Sequence, residues 1–370
     1  MKVFSVVGAR PQFVKLAPVV GAFSGTEHEH VIVHTGQHYD IQMSGVFFTD
    51  LKIPDPHVHL RVGSGSHGVQ TGAMLSALDT VFEEHMPDWV LVYGDTNSTI
   101  AGALSAAKMH VPIAHIEAGL RSFNRYMPEE HNRVLTDHAA DLLFAPTKIA
   151  MDNLAREGLT ERSVLVGDIT VDVLYSVRNA VADKPPTLPE EVSPEEGYLV
   201  CTIHRAENTD NPDRLGTILT TLSRLPLPVI LPTHPRLAAR AQAFGIPLST
   251  GALRSVRPLS YLDMLSTVVH SRGVVTDSGG LQKETFLLGK ACTTLRTETE
   301  WIETLVNSWN VLCPDLDKLA EIALRPTPAL TQDSPYGDGT AAKLIVEVLT
   351  ERARSWPSGA STAYGEADLR

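Results

Sequence analysis

Cysteine is scarce in this chain: Cys201, Cys292 and Cys313 are the only three in 370 residues, and no two stand at a C-x-x-C spacing. An odd set with no such pair implies neither a disulfide framework nor a zinc cluster. Long hydrophobic runs are missing too. No apolar stretch approaches the ~18 residues of a membrane span, and the opening MKVFSVVGAR has no signal-peptide core. The expectation is a cytoplasmic protein with no membrane partner. Positive charge is in deficit, with 31 Lys and Arg against 43 Asp and Glu, a net charge of −12. Such a balance, with no basic run, argues against nucleic acid as a partner, while a local basic pocket for a small anionic ligand stays compatible with it. What the chain does have is 43% hydrophobic and 20% charged residues, an ordinary globular composition, and length for about two domains.

Short β-branched apolar runs alternate with longer amphipathic stretches. Lys2–Val7, Val31–Thr35, Trp89–Tyr93, Pro112–Glu117 and Asp141–Ala145 read as strands, as do Tyr198–His204, Pro228–Thr233, Gly273–Thr276 and Ala291–Arg296. Near-continuous apolar strands separated by helix-length segments predict parallel sheets covered on both faces. The fold class is therefore α/β, with two doubly wound Rossmann-like domains facing across a cleft. DKPPTLPEEVSPEEG (183–197) has four prolines and five carboxylates and reads as a surface connection. The expected division is 1–170 and 171–339, with a helix at about 340–354 returning to the first domain and a tail over 355–370 that lacks periodicity.

Ligands of open parallel sheets bind outside the carboxyl ends of the strands, so the residues following each strand carry the functional reading. After the first strand comes GARPQFVK (8–15), where a helix N-terminus and Arg10 suit an anion; a plain strand-to-helix turn is the alternative. Carboxylates follow other strands at GDTN (94–97), HIEAG (115–119) and PEEH (128–131). Each alone reads as a helix-cap acid. Three delivered to one rim, with Arg121, Arg125 and Arg133 nearby, suit acid/base chemistry. In the second half, HRAEN (204–208) and HPR (234–236) place His and Arg where a phosphate leaving group needs charge and a proton. TDSGGLQKE (276–284) puts Ser-Gly-Gly at a strand-to-helix turn, a phosphate cradle, with Glu284 in reach of a ribose diol.

Two tempting motifs fail on context. GSGSHG (63–68) matches G-x-G-x-x-G, but it does not follow the first strand, and no second strand with a ribose-binding acid comes after it. The fifteen histidines, twelve of them before residue 140, follow no standard ligand spacing. Neither a dinucleotide nor a metal is expected.

Taken together, GARPQFVKLAP, TGQHYD, GDTNST, HIEAGLRS, PEEHNR, GDITVDVL, TIHRAEN, PTHPR and TDSGGLQKETFLLGK resemble the non-hydrolysing UDP-N-acetylglucosamine 2-epimerase family, from Val6 to about Asn310. The resemblance implies a GT-B fold, a homodimer, no bound cofactor, and inversion at C2 of a UDP-2-acetamido sugar through loss and re-addition of UDP. It also implies that Asp95, Glu117, Glu129 and His204 are catalytic. Arg10, Ser278 and Gly279 then stand at phosphate-contacting positions and Glu284 at the ribose hydroxyls. Lys15, Arg205, His234 and Gly280 complete the expected substrate-binding set. TGQHYDIQMSGVFF and TETEWIETL depart from the branch activated by its own substrate and look like the branch that includes archaeal enzymes and epimerases of diacetamido uronic acid sugars. Asp40 stands where the activated branch keeps a second glutamine after Gln37, which predicts hyperbolic kinetics without an activator. Lys283 replaces an acid often seen before the ribose glutamate. A sugar-nucleotide epimerase of different C3 and C6 substitution, a hydrolysing epimerase, a GT-B glycosyltransferase and a non-catalytic sensor are the alternatives.

Overall fold

A computed structural model describes residues 1–37, 48, 51–328 and 334–355. The chain divides into two compact units, Met1–Val173 with Pro335–Arg370, and Leu174–Ser334.

Unit one is built on a seven-stranded sheet of order β3-β2-β1-β4-β5-β6-β7, every neighbouring pair parallel. Its strands are β1 Lys2–Val7, β2 Glu29–His34, β3 Val58–His59, β4 Trp89–Tyr93, β5 Ile113–Ile116, β6 Leu142–Ala145 and β7 Ser163–Leu165. The helices between them are α1 Arg10–Phe23, α2 His67–His85, α3 Asn97–Lys108, α4 Pro128–Ala139 and α5 Lys148–Arg156; α6 Ile169–Asp183, after β7, begins in unit one and ends in unit two. All five residues of β4 and all four of β5 are buried. A strand with no polar face must be covered on both sides, so helices lie on each face of the sheet.

Unit two repeats the plan with six parallel strands in the order β10-β9-β8-β11-β12-β13. They are β8 Leu199–Thr202, β9 Val229–Pro232, β10 Leu253–Val256, β11 Gly273–Thr276, β12 Ala291–Thr294 and β13 Asn310–Leu312. Its helices are α7 Ala206–Thr209, α8 Pro212–Ser223, α9 Pro235–Phe244, α10 Tyr261–Val269, α11 Gly279–Leu287 and α12 Leu319–Ala323. Residues 198–203 show the layering: Leu199, Cys201 and Ile203 enter one hydrophobic cluster, and Tyr198 and Val200 enter another. Alternate side chains of one strand thus feed cores on opposite faces of the sheet.

The last helix, α13 Ala341–Ser355, belongs to unit one and packs on α1. Asp172 of α6 caps it by accepting from the Ala341 and Ala342 N–H groups at 3.2 and 2.9 Å. Asp168 N–H donates to Tyr336 O at 2.8 Å and ties down the approach.

Every strand read from the sequence is present, shortened by a residue or two at some ends, while β2 begins two residues earlier, at Glu29. Four strands were not read: β3, β7, β10 and β13. All four are sheet edges of two to four residues. With one ladder neighbour and half-exposed side chains, they lack the apolar run that marks a central strand.

A buried polar chain crosses unit one. His30 Nε2 bonds Ser5 Oγ at 2.7 Å, and Ser5 Oγ bonds the Tyr93 hydroxyl at 2.6 Å. Burial, and then the neighbouring His57, pull His30 down to about 4 from its ordinary 6.5. Between those values the unfolded chain takes up a proton that the folded chain refuses. Stability is therefore whole above about 6.5 and is lost as pH falls toward 4, by about 3 kcal/mol. Urea unfolding at pH 7 and pH 4 should show this drop in the parent and a smaller one in His30→Gln. Equal drops in both proteins would place the acid sensitivity elsewhere.

Candidate active site

In each sheet the strand order reverses between two central strands, β1 and β4 in unit one and β8 and β11 in unit two. Doubly wound folds bind ligands at this point, and the motifs singled out from the sequence lie there.

In unit one, β1 runs into Gly8-Ala9-Arg10. Gly8 is required sterically, since a Cβ there would lie 1.8 Å from Thr35 Oγ1 and 2.5 Å from Ser98 Oγ. Two of the turn's backbone donors are used within the turn itself. The Gly8 and Ala9 N–H groups donate to Gln12 Oε1 at 2.8 and 3.0 Å. Gln12, almost wholly buried, reaches on to Tyr93 O and Thr99 Oγ1, both at 3.1 Å. It thereby welds the β1 turn to the end of β4. Arg10 remains half-buried at the first position of α1.

One turn further along α1, Lys15 forms a buried ion pair with Glu117 Oε2. Glu117, at the end of β5, has φ +73, a left-handed conformation rare for a side-chain-bearing residue. Its N–H and that of Ala118 both donate to Phe144 O at 3.1 Å. Strain of this kind persists where surrounding structure imposes it, and it clusters at functional sites. Gly94, with φ +60, clears the space: a Cβ on it would lie 2.9 Å from Lys15 Nζ and 3.2 Å from Glu117 Oε2.

Asp95 follows Gly94. Its carboxylate accepts from Arg133 at 2.6 and 3.1 Å, and its carbonyl accepts from Asn132 Nδ2 at 2.9 Å. Both partners lie on α4, so the helix headed by Glu129 is docked on the Asp95 turn. Glu129 is half-exposed there, and its side chain makes no hydrogen bond among the described residues. Its neighbour Glu130 is buried and structural, accepting from Ser122 N–H, Phe123 N–H and Arg133 at 2.9, 2.9 and 2.8 Å. Of the three arginines noted in the sequence, Arg133 alone turns to a candidate carboxylate. Arg121 faces Asp137 and Glu157 instead.

In unit two, His204 follows β8, and its Nδ1 lies 2.9 Å from Asp277 Oδ1. Asp277 also accepts from the N–H groups of His204 and Arg205 at 3.0 Å each and from Asn208 Nδ2 at 3.1 Å. Burial alone would raise this carboxyl. The His204 charge and four donors outweigh burial and hold it at about 2. An ionised Asp277 fixes Nδ1 as the donor nitrogen, which leaves Nε2 of the part-exposed His204 ring for a ligand. The His234 ring lies 5.6 Å away, centroid to centroid. Sequence reasoning used Asp277 only as part of a glycine motif; nothing along the chain marks it as the partner of His204.

Ser278 caps α11 by accepting from Leu281 N–H. Gly279 leaves room for Glu300 Oε1, which would stand 2.5 Å from a Cβ, while the space over Gly280 is open. Glu284 lies half-buried on the same helix and Arg205 half-exposed beside His204. Lys283 is buried with its ammonium 4.0 Å from the Trp301 ring centroid. Two departures noted in the sequence, Lys283 and the TETEW segment, thus answer each other through a cation–π contact. Asp40 lies outside the described residues. Gln37 is described, and its Oε1 accepts from Ser98 N–H and Oγ at 2.9 and 2.7 Å. The GSGSHG segment follows a two-residue edge strand and runs into the first residues of α2, and Gly63 O accepts from Gln70. Among the described residues no group of His, Cys, Asp or Glu could hold a metal ion, and no helix is long and apolar enough to cross a membrane.

Residues 22–350 match the family model described as UDP-N-acetylglucosamine 2-epimerase. The chain belongs to the UDP-N-acetylglucosamine 2-epimerase family. Among its relatives, the UDP-2,3-diacetamido-2,3-dideoxy-D-glucuronate 2-epimerase of Pseudomonas aeruginosa is 44% identical, covering 95% of this chain and all of that one. A UDP-N-acetylglucosamine 2-epimerase homolog of Methanococcus maripaludis is 43% identical, covering 94% and 99%. The crystal structure of Methanocaldococcus jannaschii UDP-GlcNAc 2-epimerase with UDP-GlcNAc and UDP superposes with a TM-score of 0.88 at 38% identity, covering 95% of this chain and all of the other. The two-sheet architecture is the GT-B fold of that family.

Proposed function

We propose that the protein interconverts UDP-N-acetylglucosamine and UDP-N-acetylmannosamine by eliminating UDP and adding it back. The C2 hydrogen of the sugar has no neighbouring carbonyl to acidify it. Departure of UDP from C1 makes its removal feasible: the C1–O bond breaks, a carboxylate takes the C2 proton, and a C1=C2 bond forms in a 2-acetamidoglucal. UDP oxygen then re-adds at C1 while a proton reaches C2 from the other face. The reaction needs acid/base groups on both faces of C2 and a cationic grip on the leaving diphosphate.

The observation that carries the reading is Glu117, buried, conformationally strained and ion-paired with Lys15 beside Asp95. In this reading Asp95, Glu117 and Glu129 exchange protons at C2, and His204 protonates or steadies the diphosphate. Arg10, Lys15, Arg205 and His234 supply charge to it, Ser278, Gly279 and Gly280 cradle it, and Glu284 holds the ribose diol. No redox cofactor takes part. Turnover of UDP-N-acetylglucosamine in heavy water should place deuterium at C2 of the product, because the abstracted proton equilibrates with solvent. Product that keeps its original hydrogen would overturn the elimination route.

The 44% identity with the Pseudomonas enzyme favours a second reading, the same chemistry on a diacetamido uronic acid sugar. Parallel assays with both nucleotide sugars decide between them. We further propose a cytoplasmic homodimer, checked by light scattering of the purified protein.

A further inference from the structure

Behind the two carboxylate turns lies a buried network that the proposed reaction does not touch. His115, in β5, is wholly buried. Its Nε2 lies 2.7 Å from Gly94 O, and its Nδ1 lies 2.6 Å from Asp137 Oδ1. A carbonyl only accepts, so Nε2 carries hydrogen. Asp137, also wholly buried, accepts from Gly119 N–H at 3.1 Å and from Arg121 Nη1 at 2.7 Å. Arg121 in turn forms a two-pronged pair with Glu157 at 2.8 and 2.7 Å. Burial would raise the Asp137 carboxyl, but His115 and Arg121 together hold it below the ordinary carboxylate range. Asp137 thus meets the His115 ring, a guanidinium and a backbone N–H, and so deeply buried a carboxyl is tolerated only with such partners in place. Glu157, part-exposed, also lies 3.2 Å from His138 Nε2.

The network's two ends have one thing in common. Gly94 immediately precedes Asp95, and Gly119 closes the turn that opens with Glu117. A Cβ on Gly119 would strike Ala150 O at 2.5 Å, so that turn has no slack of its own. We propose that His115 and Asp137 are positioning residues that clamp the Asp95 and Glu117 turns to each other and so set the spacing of the two carboxylates. This rests on reading Asp95 and Glu117 as the acid/base pair, and it adds residues that never meet the sugar.

Two substitutions separate the ring's contacts. In His115→Gln the amide nitrogen reaches the place of Nε2 and keeps the bond to Gly94 O. In His115→Asn it reaches only the place of Nδ1, which keeps Asp137 and releases Gly94. Each variant cuts the clamp at one link, and loss of turn placement by an ångström costs about 100-fold in kcat, so both should fall by up to about that much with KM nearly unchanged. Amide hydrogen exchange should quicken over 93–97 in the Asn variant and over 117–121 in the Gln variant. If the Asn variant does not fold, Asp137→Asn takes its place, with kcat expected to drop and exchange expected to quicken at 117–121. A parental kcat in either variant, or a loss confined to KM, would overturn the proposal. A parent protein silent on both nucleotide sugars would instead refute the proposed function, and the exchange experiment alone would then decide the clamp.

Discussion

Glu117→Gln is expected to lower kcat by about 1,000-fold while leaving the affinity for UDP within about twofold of the parent. The amide keeps the shape of the carboxylate and still offers Lys15 an acceptor oxygen, so the β5 turn with its φ of +73 stays where it is. What disappears is the ability to take and return a proton. Glu284→Ala is the reciprocal case. Removing its charge-assisted bonds to the ribose hydroxyls, at ~1.5–3 kcal/mol each, should weaken UDP by one to two orders of magnitude or more. Calorimetric titration with UDP and rate measurement on each variant check the pair. A Glu117→Gln enzyme near the parental rate would remove Glu117 from the chemistry. UDP binding unchanged in Glu284→Ala would remove Glu284 from the ribose.

Asp277→Ala is expected to damage both stability and rate. The carboxylate is fully buried and gathers the His204 and Arg205 N–H groups, Asn208 Nδ2 and the His204 ring. Deleting it strands those donors, at a cost of about 3–5 kcal/mol. His204 also loses what fixes its Nδ1, so its Nε2 is no longer held for the ligand, and kcat should fall by ten- to a hundredfold. The pH dependence has a definite sign. With a folded value of about 2 against an ordinary 3.8, Asp277 contributes stability that is complete above about pH 4 and is lost as pH falls toward 2. Urea unfolding at pH 7 and pH 3 checks both parts. A variant as stable as the parent at pH 7, with His204 as effective, would show that water replaces the carboxylate without loss.

The central strands and their order of function were legible along the chain. β1, β4, β8 and β11 are wholly or mainly apolar, because strands buried on both faces leave no polar period, and the residues that follow them fall at the sheets' switch points. The motifs from Gly8 to Glu284 could therefore be assigned before any coordinates. Edge strands could not, because a short strand with a single ladder neighbour has no pattern of its own.

Local sequence determines which side chains a turn carries, and for this chain that includes the carboxylates at 95, 117 and 129, the histidine at 204 and the Ser-Gly-Gly at 278–280. It does not determine which of them meet. Lys15 is 102 residues from Glu117, Arg133 is 38 from Asp95 and Asp277 is 73 from His204, separations at which no periodicity constrains contact. Only the parallel order of the strands brings these groups together. The same holds for Gln12, whose side chain ties the β1 turn to the end of β4, 81 residues away. It holds again for Lys283, an unexplained substitution until Trp301 is found beneath it. Burial decided these cases, since a buried polar group must find its partner wherever the fold supplies one.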